Sequence, residues 1–188
     1  NGIPVVPGTE KLNHENIETI KRYAQQIGYP VILKASGGGG GRGIREVHKE
    51  EDLERLLEDC KREAKAFFNS DEVFMEKLII NPRHIEFQIL ADEYGNTIHL
   101  GERECSLQRN NQKVLEEAPS TFLNPKLREK MGEVAKCAAK AVNYKNAGTI
   151  EFLVDKDCNF YFMEMNTRIQ VEHPITEMVT GVDIVKEQ

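Results

Sequence analysis

Lys34 ends an apolar run and is followed by Ala35-Ser36-Gly37-Gly38-Gly39-Gly40-Gly41-Arg42-Gly43. Glycines without side chains let backbone N–H groups approach an anion, so this loop could lie over a polyphosphate; a flexible linker has the same composition. So many glycines satisfy GxGxxG trivially. The loop is not a Walker A motif, because Arg42-Gly43-Ile44 leads into an apolar stretch and not into a Lys-Ser or Lys-Thr pair opening a helix. A linker between two strands of one hairpin has little purpose, which favours the phosphate-lid reading.

Glu151 and Glu164 each lie six residues from Asp157-Cys158. A two-residue loop there would set the two carboxylates directly opposite one another. Like charges so placed repel unless a cation sits between them, and oxygen ligands in that arrangement suit Mg²⁺ carrying ATP phosphates. A longer loop would change the register and leave both acids solvated. Their apolar neighbours Ile150, Phe152, Phe162 and Met163 argue against a wholly exposed face.

Glu164, Asn166, Arg168, Gln170 and Glu172 alternate with Met165, Thr167, Ile169 and Val171, so an extended segment would carry five polar groups on one face. An amphipathic strand with a wet face has the same period. Continuity with the proposed metal ligand, and the mixture of arginine, amide and carboxylate, point instead to the floor of a site. His84, Glu86 and Gln88 alternate with Ile85, Phe87 and Ile89 in the same way, with wet face and site equally open. Lys113, in Gln112-Lys113-Val114, has the look of a solvated surface lysine.

The elements that position these residues can be read from periodicity. Asn13 is the expected cap of a helix carrying Ile17, Ile20, Tyr23, Ala24 and Ile27 on one face, stopped by Gly28 and Pro30. Val31 to Ala35 and Ile44 to Val47 read as a hairpin, Glu51 to Phe68 as an amphipathic helix, and Val73 to Leu78 as a strand. Residues 1–79 thus form a small α/β unit. Residues 80–188 turn to strands in succession: Arg83 to Ala91, Thr97 to Cys105 and Lys113 to Ala118, with a turn at Glu93-Tyr94-Gly95-Asn96. A helix from Asn124-Pro125 to about Val142 follows, then strands Gly148 to Val154 and Phe160 to Met165. The expected class is α+β around a mainly antiparallel sheet.

The 188 residues carry 31 acidic and 25 basic side chains, net charge -6, and 39% hydrophobic residues, enough to build a core. The basic residues are scattered, which argues against nucleic acid as a partner. Cys60, Cys105, Cys137 and Cys158 form no CxxC pair, so neither a zinc site nor a disulfide framework is indicated and a reducing cytoplasm or organelle matrix fits. The apolar runs are strand-sized, which argues against a membrane span or an export signal. The chain opens at Asn1-Gly2-Ile3-Pro4 and stops at Lys186-Glu187-Gln188 in a starting helix, and is expected to be a segment of a longer protein.

Together these residues resemble the biotin carboxylase family of ATP-grasp enzymes. The decisive string is Glu164-Met165-Asn166-Thr167-Arg168-Ile169-Gln170-Val171-Glu172-His173-Pro174, supported by Lys34 through Gly43, Glu76-Lys77-Leu78, Asn81-Pro82-Arg83-His84, and Gln108-Arg109 through Glu116-Glu117-Ala118-Pro119. Carbamoyl-phosphate synthetases share the glycine lid and the acidic pair but not the Arg-Ile-Gln-Val-Glu-His run, and rank as more distant. The resemblance implies an ATP-grasp fold, with residues 1–79 as most of a lid and residues 80–188 as part of a larger subdomain, ATP lying between them. It implies that Lys34, His84 and the glycines Gly38, Gly39, Gly40 and Gly41 meet phosphates, and that Glu76-Lys77-Leu78 lines the adenine through backbone groups of Glu76 and Leu78. Gln108 would contact the nucleotide. Glu151, Glu164 and Asn166 would hold Mg²⁺ or Mn²⁺. Arg168, Gln170, Val171 and Lys113 would seat bicarbonate, and Glu172 would deprotonate it.

The implied reaction is carboxylation of biotin on a biotin carrier protein by MgATP and bicarbonate through carboxyphosphate. The implied parent is a cytoplasmic homodimer working with carboxyltransferase subunits, as in the acetyl-CoA carboxylase of fatty acid biosynthesis. A pyruvate- or propionyl-CoA-type carboxylase and a non-catalytic nucleotide-binding module are the alternatives. Asn111 stands where many relatives have a nucleotide-contacting histidine. An upstream ATP-contacting lysine and a downstream arginine of the family lie outside the chain, so the chain alone is expected not to carboxylate biotin at a useful rate.

Overall fold

The computed structural model describes residues 2–37, 43–110 and 112–188; the expectations placed on Gly38, Gly39, Gly40, Gly41 and Asn111 lie outside the described residues. The chain divides into two compact units, Val6–Ile79 and Ile80–Gln188, the latter joined by the N-terminal residues up to Val5.

In the first unit, helix α1 (Ile17–Ile27) precedes strands β1 (Val31–Ala35) and β2 (Ile44–Val47), helix α2 (Glu50–Phe68) and strand β3 (Val73–Lys77). The strands form an antiparallel sheet in the order β2-β1-β3. Val31, Leu33 and Ala35 point into the core with Ile20, Ala24, Leu53, Leu57, Val73 and Met75, so Ile32 and Lys34 fall on the other face. The cap of α1 is Asn16, whose Oδ1 accepts the Thr19 N–H at 2.9 Å, and not Asn13. Asn13 lies in a turn three residues earlier, where its side chain accepts the Val73 N–H and donates to Asp71, fastening that turn to the start of β3. Gly43, at φ 70, could not be replaced cheaply: an added Cβ would stand 2.7 Å from the Ala35 side chain.

The second unit is built on an antiparallel sheet, β6-β5-β4-β7-β8, made of β4 (Arg83–Ala91), β5 (Thr97–Arg109), β6 (Gln112–Glu117), β7 (Asn146–Val154) and β8 (Phe160–Asn166). Helix α3 (Pro125–Ala141), capped by Asn124, covers one face. Ile85, Phe87, Ile89, Ile150 and Phe152 meet Leu127, Met131 and Ala135 there, and Phe87, Phe152, Phe160 and Phe162 pack edge to face. Period two then sends His84, Glu86, Gln88, Thr149 and Glu151 to the opposite face. Short helices α4 (His173–Thr180) and α5 (Ile184–Glu187) follow β8. No helix among the described residues is long and apolar enough to cross a membrane.

Two hairpins use the same turn. In Asp92–Asn96 and in Asp155–Asn159 the first aspartate accepts N–H groups from residues two and four further on, and the closing asparagine amide donates back to it. The fourth residue is left-handed in both, Gly95 at φ 88 and Cys158 at φ 63. The β7–β8 loop is therefore longer than the two-residue turn expected from sequence. A compensating bulge follows, for Phe152 pairs with Phe162 but Glu151 pairs with Glu164, so Met163 is the extra residue. Without that bulge Glu151 would oppose Met163, and Glu164 would turn to the other face. The predicted pairing thus holds by a different route. A second register shift, between Phe87 and Ile89 and with Gly101 at φ 84 on the partner strand, sets Glu86 opposite Arg103. In unshifted register it would face Glu102.

Gly132 on α3 lies against His99, whose ring meets Phe87 edge-on; an added Cβ would come within 2.4 Å of His99 Nε2. Gly132→Ala is expected to lower stability by about 1–3 kcal/mol, the cost of overpacking, in urea melts. Cys158→Gly, which relieves a left-handed non-glycine residue, is expected to raise it by up to about 1 kcal/mol.

Candidate functional site

The polar face of the second unit's sheet gathers three acids that the core excludes. Glu86 and Glu151 oppose one another across β4 and β7 and are buried. Glu172 arrives from the segment before α4. Side by side and dry, these carboxylates would repel; Lys113 on β6 resolves it. Its ammonium meets Glu86 in a very short contact, Glu172 at 2.6 Å and Glu151 at 3.1 Å. The lysine that looked solvated from sequence is half-buried, because its long stem carries the ammonium from β6 inward over the sheet to these acids.

Around this cation the titrations move apart. Burial pulls Lys113 toward neutrality, but Glu86, Glu172 and Glu151 outweigh it and hold the ammonium above its usual range. Burial likewise pushes Glu151 up, yet the hydrogen bond from His84 and the Lys113 charge prevail and hold its carboxyl down at about 2. Glu172 is also lowered, burial being outweighed by the hydrogen bond from Lys113. The Cys105 thiol, beside Glu86, is pushed up by burial and by that negative charge. Glu151 and Glu172 are thus kept ionised at neutral pH.

Amides and a histidine complete the surround. Gln108 Nε2 donates to His84 Nδ1 at 2.8 Å and to the Cys105 carbonyl at 2.9 Å; an amide N–H₂ only donates, so His84 Nδ1 accepts and Nε2 carries the proton given to Glu151 at 2.5 Å. Asn166 Nδ2 donates to Glu151 at 2.8 Å and to Glu164 at 3.3 Å, bridging the opposed pair. Glu151 and Glu164 pair across the sheet and carry oxygens of the kind a hard divalent cation takes; Asn166 would serve such an ion through Oδ1, with the amide turned from the orientation seen here, although Glu164 falls in neither of the ligand-atom clusters among the described residues. Among the described residues, the groups whose ligand atoms cluster within 4.8 Å are His84, Glu86, Glu151 and Glu86, Cys105, Glu172.

The expected five-residue polar face stops at Asn166, where β8 ends. Beyond it the chain is irregular, and its side chains diverge. Arg168 is exposed, donating to the Ile169 carbonyl and the Asn166 side chain; Gln170 turns inward, and Val171 is 91% exposed. This break is what lets Gln170 reach Glu151 Oε1 at 2.8 Å while Glu172 reaches Lys113.

Sequence reasoning missed Arg103. It is wholly buried, and its guanidinium meets Glu86, Gln88, Thr149, Gln170 and Thr176. An arginine inside a strand opposite an alternating acid was the available signal, but the register shift at Gly101 hid the pairing.

In the first unit Lys34 on β1 forms a 2.5 Å ion pair with Glu76 on β3, both on the face away from the helices. Lys77 Nζ donates to the Gly28 and Tyr29 carbonyls. The Leu78 N–H donates to the Pro30 carbonyl.

The depressed Glu151 carboxyl has a consequence for acid stability. The unfolded chain, with a glutamate near 4.5, takes the proton before the folded one near 2 does, so this contribution is complete above about pH 4.5 and lost as pH falls toward 2. Glu151→Gln is expected to flatten the fall of Tm across that window, measured by thermal melts at stepped pH.

Residues 1–188 match the family described as carbamoyl-phosphate synthase L chain, ATP binding domain. The chain is 59% identical over 187 residues to a biotin carboxylase of Nostoc sp., covering 100% of this chain and 42% of that protein. It is 55% identical over 187 residues to a pyruvate carboxylase subunit of Methanothermobacter thermautotrophicus, covering 100% of this chain and 38% of that one. Among solved structures it is similar, with TM-score 0.90 and 57% identity over 99% of this chain and 41% of the other, to the biotin carboxylase domain dimer of Hydrogenobacter thermophilus 2-oxoglutarate carboxylase in complex with MgADP, ADP and bicarbonate. The chain spans about two fifths of the length of these relatives. It belongs to the carbamoyl-phosphate synthase L chain ATP-binding domain family, and its full-length likeness within that family is to the biotin carboxylases, with their ATP-grasp fold.

Proposed function

We propose that this chain supplies nucleotide-, metal- and bicarbonate-binding residues of a biotin carboxylase, with Val6–Ile79 as the lid over ATP phosphates. The observation that carries the reading is the placement of a carboxylate, Glu172, against a cation, Lys113, beside the opposed pair Glu151 and Glu164. Likeness to a protein whose structure holds MgADP and bicarbonate supports it.

In this reading Arg168, Lys113, Gln170 and Val171 seat bicarbonate, Gln108 and the Glu76-Lys77-Leu78 segment meet the nucleotide, and Lys34 and His84 meet its phosphates. Glu172 takes the bicarbonate proton as the oxygen attacks the γ-phosphorus and the bond to ADP breaks, giving carboxyphosphate. Held low by Lys113, Glu172 is ionised but weakly basic, so transfer is favourable only as the new P–O bond draws charge from the oxygen. A divalent cation on Glu151, Glu164 and Asn166 would neutralise phosphate charge. Carboxyphosphate then yields CO₂ and phosphate, the phosphate takes the ureido proton of biotin, and the freed nitrogen captures CO₂.

For the parent enzyme we propose an acetyl-CoA carboxylase of fatty acid biosynthesis, acting in the cytoplasm as a homodimer with a biotin carrier protein and carboxyltransferase subunits. A pyruvate- or 2-oxoglutarate-type carboxylase is the second reading, favoured by the likeness to both kinds. Turnover with each carboxyl acceptor separates the two.

Calorimetric titration tests the site directly. MgATP is expected to bind this chain, and ATP in excess EDTA to bind at least about tenfold more weakly, a difference that Glu164→Gln reduces; equal binding with and without metal overturns the metal assignment. In the full-length protein carrying this chain, Glu172→Gln is expected to lower kcat for bicarbonate-dependent ATP cleavage roughly 10²- to 10⁴-fold with ATP binding unchanged. The chain by itself is expected to show no biotin-dependent turnover; measurable carboxybiotin formation overturns that point.

A further inference from the structure

Arg103 uses every donor it has. Nε gives its hydrogen to Glu86 at 2.6 Å; Nη1 gives two, to Gln88 at 2.7 Å and Thr176 at 2.9 Å; Nη2 gives two, to Thr149 and Gln170 at 3.2 Å each. A guanidinium carries five N–H groups in one plane, and here five side chains from β4, β7, the segment after β8 and helix α4 take one each. None of these acceptors is on β5, so the residue ties its own strand to four other parts of the unit.

The tie has direction. Arginine only donates, so the Gln170 atom that faces it is oxygen, and the Gln170 nitrogen must then point the other way, where it donates to Glu151 at 2.8 Å. An amide turned over would set N–H₂ against N–H₂ and its oxygen against a carboxylate, losing both bonds. Gln88 is oriented by the same logic, its nitrogen donating to the Gly148 carbonyl at 2.9 Å. Glu86 is divided likewise: Oε1 takes Arg103, which leaves Oε2 to hold Lys113, and Lys113 in turn holds Glu172.

We propose that Arg103 is a positioning residue for the anion seat: it fixes the amide orientation of Gln170, so that an N–H₂ and never a C=O is presented beside Glu151, and through Glu86 it fixes the Lys113 ammonium. The substrate class served is a small oxyanion, bicarbonate in the reading above, on which this inference rests. Arg103 touches no substrate itself. A lysine in its place keeps the charge and can reach Glu86, but cannot orient the glutamine amide at the same time.

The test uses the full-length protein carrying this chain and reads ATP cleavage against bicarbonate and ATP concentrations separately. Arg103→Lys is expected to raise KM for bicarbonate roughly ten- to hundredfold while KM for ATP stays within about twofold. Gln170→Ala is expected to raise it by a similar factor in the wild type, but by less than about threefold once Arg103 is lysine, because its orientation is already lost. Equal factors in the two backgrounds, or KM values for both substrates moving together, overturn the inference. If Arg103→Lys does not fold, Thr149→Val removes one acceptor from the nitrogen that holds Gln170 and is expected to raise bicarbonate KM by a few-fold in a protein that still folds, at a lowered melting temperature; no change in KM then counts against the proposal. Absence of bicarbonate-dependent cleavage in the unaltered protein would instead sink the functional reading and is distinguishable from either result.

Discussion

Three carboxylates share one dry sheet face, and the second unit is arranged so that this can happen. Unpaired buried acids take up protons or unfold the chain around them, and stripping one partner from a buried pair costs about 3–5 kcal/mol. Two cations answer Glu86, Glu151 and Glu172: Lys113 from β6 and Arg103 from β5. A guanidinium with five fixed donors suits the crowded interior position, where side chains from four elements converge. The ammonium, compact and on a flexible stem, suits the less buried position, where it is shared among three carboxylates.

Register makes that compensation geometrically available. The two sides of the sheet have opposite tasks, an aromatic and aliphatic core under α3 and a polar face above, and a slip of one residue exchanges them. Two bulges sit where slips would be most harmful. One places Arg103, instead of Glu102, against Glu86; the other places Glu164, instead of Met163, against Glu151. The displaced acids are not wasted. Glu102 and Glu104, on the α3 side, bind Arg128, Arg83 and Ser120 and fasten the segment before α3 to β5.

The first unit shows the same economy at smaller scale. Alternation along β1 buries Val31, Leu33 and Ala35 under two helices and leaves Lys34 on the free face, where Glu76 from the neighbouring strand pairs with it. Both ends of that pair are partly exposed, which places it among ion pairs of small net energy.

Local signals in the sequence determined the elements themselves. The stripe on α1, the asparagine and proline that start α3, the period-two runs of β1, β4 and β7 and the left-handed turn residues are properties of a few neighbouring residues, and the α+β class with an antiparallel sheet follows from their order. The string from Glu164 to Pro174 likewise carries the family. Tertiary structure alone decided what those residues face. A bulge adds one residue and reverses every side chain after it, so the Asp155–Asn159 turn, the extra Met163 and the shift at Gly101 act on pairing without leaving a periodic trace. The break after Asn166, which sends Arg168 outward and Gln170 inward, has the same alternation as a strand. Lys113 and Arg103 owe their burial to acids distant in sequence, and no local pattern distinguishes a buried cation from a solvated one until its partners arrive.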